Sequence, residues 1–302
     1  MYPQEMQDTR PRNVGQGAET QPHLAVAPSP RRRPGRAALA GIVLGLVAAA
    51  YFFAPIRTNV LVLGVDRRPD ESTTASRSDM LILVTVIPTR PHVGMLSIPR
   101  DLWVDIPEFG PNRINAAYFL AEAAQTGTGA RAAADTVRSN FGVDVHGYAS
   151  LEFTGIVGFV DLLGGVDIDL ATATGGYGPG LHHLDGTQAL AFARDRLGSD
   201  DFFRMERGQI LMRSILRSLI RPASWPRWPE AGAALLTSVH TDLALWEWPR
   251  LGLALLRAGS GGIDGRVIGR DMAVGFTTPA GAQVLSPDWS RINPLLLEMF
   301  GQ

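Results

Sequence analysis

The run MLILVTVIPTRPHVGMLSIPRD, Met80–Asp101, decides the fold class. Its two apolar stretches, MLILVTVI (Met80–Ile87) and HVGMLSI (His92–Ile98), are short and rich in Val, Ile and Leu, as strands buried on both faces are. Pro88-Thr89-Arg90-Pro91 between them is a tight turn, so the two should pair as an antiparallel hairpin. Upstream, NVLVLGV (Asn59–Val65) has the same character. Downstream, helical spacing takes over in Ile114–Ala124, Arg131–Asn140 and Phe153–Leu163, the last stopped by Gly164–Gly165. VDIDL (Val166–Leu170) reads as another strand, and Asp185 as the N-cap of a helix over Gly186–Phe192. A long amphipathic helix is expected over Phe203–Ile220, ended by Pro222, Pro226 and Pro229. A strand near Arg266–Ile268 and a closing helix around Ile292–Phe300 complete one α/β domain with a mixed sheet, without repeats or a second boundary.

A chain of 302 residues can bury one sizeable core or two small ones. Its 45% apolar and 19% charged content is ordinary for a globular protein, and a net charge of −1 argues against a nucleic-acid partner. All 28 basic residues are arginine. The choice of Arg over Lys at any one site is therefore uninformative, and only the position of each arginine counts. The absence of cysteine excludes disulfides, thiolate metal sites and cysteine nucleophiles.

Residues 1–36 are rich in Pro, Gln and Gly without apolar periodicity, and read as a disordered tail. RRRPGR (Arg31–Arg36) precedes an uncharged run, Ala37–Ala54, near the lower length limit for a membrane span. The arginines would keep the N-terminus in the cytoplasm, making 37–54 a transmembrane signal anchor and placing 57–302 outside. A long preceding tail and the lack of an A-x-A-like site disfavour a cleaved signal peptide. A buried core helix is the plainer alternative.

Five Arg/Asp clusters each adjoin an apolar run: LGVDRR (Asp66–Arg68), SRSDM (Arg77, Asp79), SIPRD (Arg100, Asp101), FARDR (Arg194–Arg196) and DFFRMER (Asp201–Arg207). Carboxylates suit a hard divalent cation, and guanidinium forks suit phosphate oxygens. Asp66 follows one strand and Asp79 precedes the next, so an antiparallel pairing puts both carboxylates at one sheet edge, where Mg²⁺ completed by water and phosphate oxygens could sit. A turn aspartate and a capping aspartate are the bland readings. Arg204 and Arg207, three apart, share a helix face with Gln209 nearby, although an ordinary amphipathic helix would also place them so. His182–His183 has no ligand partner at metal spacing and reads as a loop pair. No G-x-S-x-G or G-x-x-x-x-G-K-[ST] motif is present, which speaks against serine catalysis and nucleotide hydrolysis.

Together these segments resemble the LytR-CpsA-Psr family of bacterial envelope proteins. LVLGVDRR, SRSDMLILVTVIP, GMLSIPRDLWVDIP, RINAAYFLA, GFVDLLGGVDIDL, LDGTQALAFARDR and DFFRMERGQ carry the resemblance, from about Asn59 to Ile220. It implies a three-layer α/β/α domain outside the cytoplasmic membrane. The implied activity moves a glycopolymer from its polyprenyl pyrophosphate carrier onto peptidoglycan, forming a phosphodiester. By motif position Asp66 and Asp79 look like ligands of Mg²⁺ (or Mn²⁺). Arg77, Arg100, Arg194 and Arg196 look like pyrophosphate ligands, with Arg204, Arg207 and Gln209 completing the wall. Arg77, Arg100 and Asp101 stand where the family's catalytic groups stand. Two departures are visible. Gly208 follows Arg207 where the family commonly has glutamine, with Gln209 one place later, and Arg113 replaces the usual lysine of RINAAY.

Such a transfer needs charge stabilisation more than covalent chemistry from the protein. Asp101 and Asp79 are both candidates to take the acceptor's proton. The lipid tail needs an apolar groove, for which the helices at Ile114–Ala124 and Phe153–Leu163 are candidates. The rival activities are a pyrophosphatase, with water as acceptor, and a non-catalytic polyprenyl-phosphate binder or regulator.

Overall fold

The computed structural model describes residues 35–54, 56–65, 78–195 and 201–301. Helix α1 covers Arg36–Phe53. At 1.5 Å per residue it is about 27 Å long, against about 30 Å for a bilayer's hydrocarbon core. Among the described residues no helix is long and apolar enough to cross a membrane. The tail expected to be disordered lies, up to residue 34, outside the described residues.

The three apolar runs are strands β1 (Thr58–Val65), β2 (Ser78–Val86) and β3 (Val93–Ile98). A short hairpin, β4 (Trp103–Ile106) and β5 (Gly110–Arg113), leads to helices α2 (Ala116–Ala124) and α3 (Gly129–Phe141). Strand β6 (Gly147–Glu152) runs directly into α4 (Phe153–Leu163). A second hairpin, β7 (Val166–Leu170) and β8 (Gly180–Leu184), precedes α5 (Gly186–Arg194) and the long α6 (Asp201–Ile220). Then come α7 (Trp228–Ser238), the three-residue β9 (Val239–Thr241), α8 (Glu247–Ala258) and β10 (Ile263–Val267). The chain closes with a hairpin, β11 (Ala273–Thr277) and β12 (Gln283–Pro287), and α9 (Trp289–Phe300).

Among the described residues the main sheet runs β10-β3-β2-β1-β6-β9. β1/β2, β2/β3 and β6/β9 are antiparallel, while β1/β6 and β3/β10 are parallel, so the sheet is mixed as expected. The register decides where the chemistry can gather. Val65 lies opposite Ser78 and Glu152, Leu81 opposite Ile98, and Val267 opposite Ser97. The ends of β1, β3, β6 and β10 and the beginning of β2 therefore share one sheet edge.

Alternation along the strands sends side chains to two cores. Leu61, Leu63, Leu81, Leu83, Leu96 and Ile98 pack with α2, α3 and α9 on one face. Ile82, Val86, Val93 and Met95 face α8 on the other, next to a core shared by α4, α5, α6 and α7. Helices on both faces give the three-layer arrangement.

Local chemistry explains several boundaries. Asp185 accepts from Gln188 N at 2.8 Å and its own N–H donates to Gln188 Oε1 at 3.0 Å, a reciprocal capping box that starts α5. Gly164 takes a left-handed conformation, φ +83°, to end α4. Two expectations change. Helix α2 starts at Ala116, because Ile114 N donates to Leu102 O and belongs to the hairpin end. Pro229 starts α7 instead of stopping α6, since the first turn of a helix has no use for the missing N–H.

Candidate active site

The shared sheet edge collects the arginine and aspartate clusters. Asp79 is the second residue of β2, and Arg100 follows β3 after Pro99. Arg100 Nη1 donates to Asp79 Oδ1 at 3.0 Å, and Arg204 Nη2, from the first turns of α6, lies 3.8 Å from Asp79 Oδ2. Arg194, the last residue of α5, stacks its guanidinium 4.7 Å from the centroid of the Phe153 ring, which opens α4. Asp79, Arg100, Phe153, Arg194, Arg204 and Gly208 line one pocket. A cluster dominated by guanidiniums, with apolar walls behind it, suits a multiply charged oxyanion.

Asp101 stands behind Arg100. Its Oδ2 lies 3.6 Å from Arg100 Nε and its Oδ1 lies 3.2 Å from Arg113 Nε. Arg113 Nη2 donates to the Gln283 carbonyl at 2.8 Å, and Leu285 N donates to the Asp101 carbonyl at 3.0 Å. Asp101 is thus clamped to β12 and bears on Arg100 from the rear.

Arg207 and Gln209 are drawn away from the pocket. Arg207 is 2% exposed and its Nη2 donates to the Asp195 carbonyl. Burial lowers its pKa, with Arg204 adding to the lowering and Asp195 opposing it; a guanidinium stays charged regardless. Gln209 is buried between strands: Nε2 donates to the carbonyls of Met95 (3.0 Å) and Arg266 (3.2 Å), and Oε1 accepts from Ser97 Oγ. The one-residue shift noted in the sequence has a geometric meaning. About 100° of helix rotation separates positions 208 and 209, so glycine faces the pocket while the amide stitches α6 to β3 and β10. Asp66, Arg77 and Arg196 lie outside the described residues.

His182 and His183 stand on strand β8, not in a loop, and serve separate partners. His182 Nε2 is 2.8 Å from the Gly178 carbonyl, and His183 Nδ1 is 2.6 Å from Asp167 Oδ1, while the other oxygen of Asp167, Oδ2, pairs with Arg221. Among the described residues no group of three or more His, Cys, Asp or Glu side chains could hold a metal ion. Asp79 still fits as one ligand of a hard cation. Its side chain is partly exposed and borders the pocket, and Mg²⁺ takes few protein ligands when phosphate and water supply the rest.

An apolar cavity of about 350 Å³ lies on the α4/α6/α8 side of the sheet. Val62 and Val84 floor it, with Phe159 from α4, Ile215 and Leu219 from α6 and Leu255 from α8 as walls. Helix α6 joins the two places: Arg204 and Gly208 line the basic pocket, and Met212, Ile215, Leu216 and Leu219 line the cavity. Of the two helices expected to border a lipid groove, α4 does so, whereas α2 packs Ala116, Ala117 and Tyr118 into the opposite core.

Three contributors escaped the sequence reading. Arg113 was visible as a replacement for lysine, but nothing in RINAAY announces Asp101 as its partner. Phe153 opens a helix with no spacing signal to tie it to Arg194. Arg270, just past β10 at the same sheet edge, stacks on Phe202 (5.0 Å) and Phe203 (5.5 Å) at the beginning of α6.

The family model described as the LytR_cpsA_psr family matches residues 56–276. A polyisoprenyl-teichoic acid–peptidoglycan teichoic acid transferase, TagU of Oceanobacillus iheyensis, is 35% identical over 191 residues, 61% of this chain and 58% of the relative. TagU of Enterococcus faecalis is 30% identical over 202 residues, 65% of this chain and 64% of the relative. The chain thus spans under two thirds of the length of these relatives. Among solved structures, B. subtilis TagV superposes with a TM-score of 0.67 at 22% identity, covering 82% of this chain and 98% of that one.

Proposed function

From the premise that this chain belongs to the LytR-CpsA-Psr family, we propose that it transfers a glycopolymer from a polyprenyl pyrophosphate carrier to peptidoglycan, forming a phosphodiester. The observation that carries this reading is the course of α6, which runs from a guanidinium-lined pocket to an apolar cavity. A pyrophosphate head and a lipid tail need those two environments in that order. The names of the TagU relatives support the same substrate classes.

In this reading Arg100, Arg194 and Arg204 grip the pyrophosphate, and Arg77 and Arg196 join them from the neighbouring sequence. The acceptor hydroxyl, on the glycan of peptidoglycan, attacks the phosphorus nearer the sugar. The bond from that phosphorus to the bridging oxygen breaks, and the hydroxyl proton leaves with the polyprenyl phosphate. Guanidiniums held ready around the pyrophosphate offset charge as it develops on the leaving oxygen. Asp101, ion-paired through both oxygens with Arg100 and Arg113, orients Arg100. Arg207 and Gln209 support α6 from behind. Asp79 and Asp66 would hold Mg²⁺ (or Mn²⁺), which when bound offsets phosphate charge. The apolar segment 37–54, with Arg31–Arg36 before it, anchors the chain with residues 57–302 outside the cytoplasmic membrane.

The test is polymer transfer by the purified full chain from a lipid pyrophosphate to peptidoglycan, with Mg²⁺ and with EDTA. Transfer should need metal and fall about 10²–10³-fold in Arg100→Ala and in Asp79→Ala. Phosphate release without acceptor coupling would replace the transferase with the pyrophosphatase. Lipid binding without turnover under any condition would replace it with a binder or regulator.

A further inference from the structure

The apolar cavity has a conspicuous lip. Leu243 and Trp248 line the cavity, and between them Leu245 and Trp246 stand 68% and 71% exposed. Single exposed apolar residues are normal on protein surfaces. Here they adjoin further ones. Leu236, 54% exposed, lines with Leu245 and Trp248 a neighbouring groove whose other residues include Tyr118, Glu122 and His240. Tyr51 OH donates to the Trp246 carbonyl at 3.0 Å, and Arg250 lies 5.7 Å over the Tyr51 ring while its Nη2 donates to the carbonyl of exposed Ile56.

Both acidic residues flanking the lip have partners within the protein. Asp242 pairs with Arg131 at 2.8 Å and accepts from Tyr148 N at 2.8 Å, and Glu247 Oε2 accepts from Ala244 N at 2.9 Å. Nothing charged on the segment 243–246 opposes contact with hydrocarbon. A tryptophan beside a leucine at an apolar opening is the composition of a membrane-interface contact, since the indole has both an apolar body and a polar N–H.

We propose that Leu245 and Trp246 form a lip that enters the interface of a lipid bilayer and joins the cavity to it, so that a polyprenyl tail passes inside without crossing water. This rests on the reading of a lipid-linked substrate. The occupant is a bilayer and not a protein because Leu243 and Trp248, flanking the exposed pair in the chain, line a cavity suited to lipid tails. The exposed pair also meets Tyr51, near the end of the apolar run Ala37–Ala54.

The chain has no cysteine, so Trp246→Cys and Ser286→Cys each carry one nitroxide in the otherwise unaltered full chain. In vesicles of phosphatidylethanolamine and phosphatidylglycerol, the label at 246 should meet oxygen dissolved in lipid and be shielded from a water-soluble nickel chelate. The label at 286, on the exposed face of β12, should show the reverse. Equal access of the chelate to both overturns the proposal. In parallel, Leu245→Ser/Trp246→Ser should raise KM about tenfold or more for a long-chain polyprenyl pyrophosphate substrate in vesicles. KM for a short, water-soluble analogue should stay within about twofold. An equal change for both substrates, or none for the long one, also overturns it. If the unaltered chain turns over neither substrate, the transferase reading fails, and the nitroxide result alone still decides the lip.

Discussion

Arg113 shows how much one side chain outside the pocket can matter. It holds Asp101, which holds Arg100, and it fastens this relay to the Gln283 carbonyl. Arg113→Ala should lower kcat about tenfold with little change in KM, because it loosens a guanidinium that grips the transition state without removing it. Arg113→Lys should recover part of the loss by restoring charge without the fork. Thermal unfolding should move little for either, since the pair is partly exposed. Gln209 makes the opposite case. Gln209→Leu would leave the Met95 and Arg266 carbonyls without their donor and cost about 1–3 kcal/mol in denaturant unfolding. The positions of Asp79, Arg100, Arg194 and Arg204 at one pocket could be anticipated from clusters at the ends of apolar runs. The withdrawal of Gln209 could not, because side-chain direction one residue along a helix depends on the helix's rotation against the sheet.

At the level of elements, the apolar runs of β1, β2 and β3 were readable because strands buried on both faces leave little choice of residue. The short hairpins were not. β5 is GPNR, with neither alternation nor β-branched residues, and its pairing with β4 is set by the chain around it. The β7–β8 hairpin carries a test of its own. The carboxyl of Asp167 is held below its ordinary range, first by the hydrogen bond with His183 and then by Arg221. A depressed carboxyl pKa contributes stability above its unfolded-state value, and that contribution disappears as pH falls through the folded-state value. Stability of the parent should therefore drop below about pH 4, more steeply than that of Asp167→Asn, in urea titrations over that range. The cap at Asp185 is simpler: Asp185→Ala should cost about 1 kcal/mol.

Across the whole molecule, the sheet places charge at one edge and leaves an apolar cavity behind it, and α6 borders both. Leu219→Trp, at the far end of that cavity, adds volume where space exists. It should alter stability by about 1 kcal/mol or less, yet weaken binding of a long-chain carrier about tenfold, read by competition with a fluorescent lipid. The two environments were legible separately, as arginine clusters and as Val/Leu/Phe-rich helices. That α4 and α6, and not α2, would enclose the cavity depends on which face of the sheet each crossover takes. The course of α6 has one more consequence. From Arg204 to Leu219 the helix advances about 22 Å, so the protein is a ruler with a fixed last mark. Affinity should climb with each isoprene unit added to a carrier until that mark is reached, then level off.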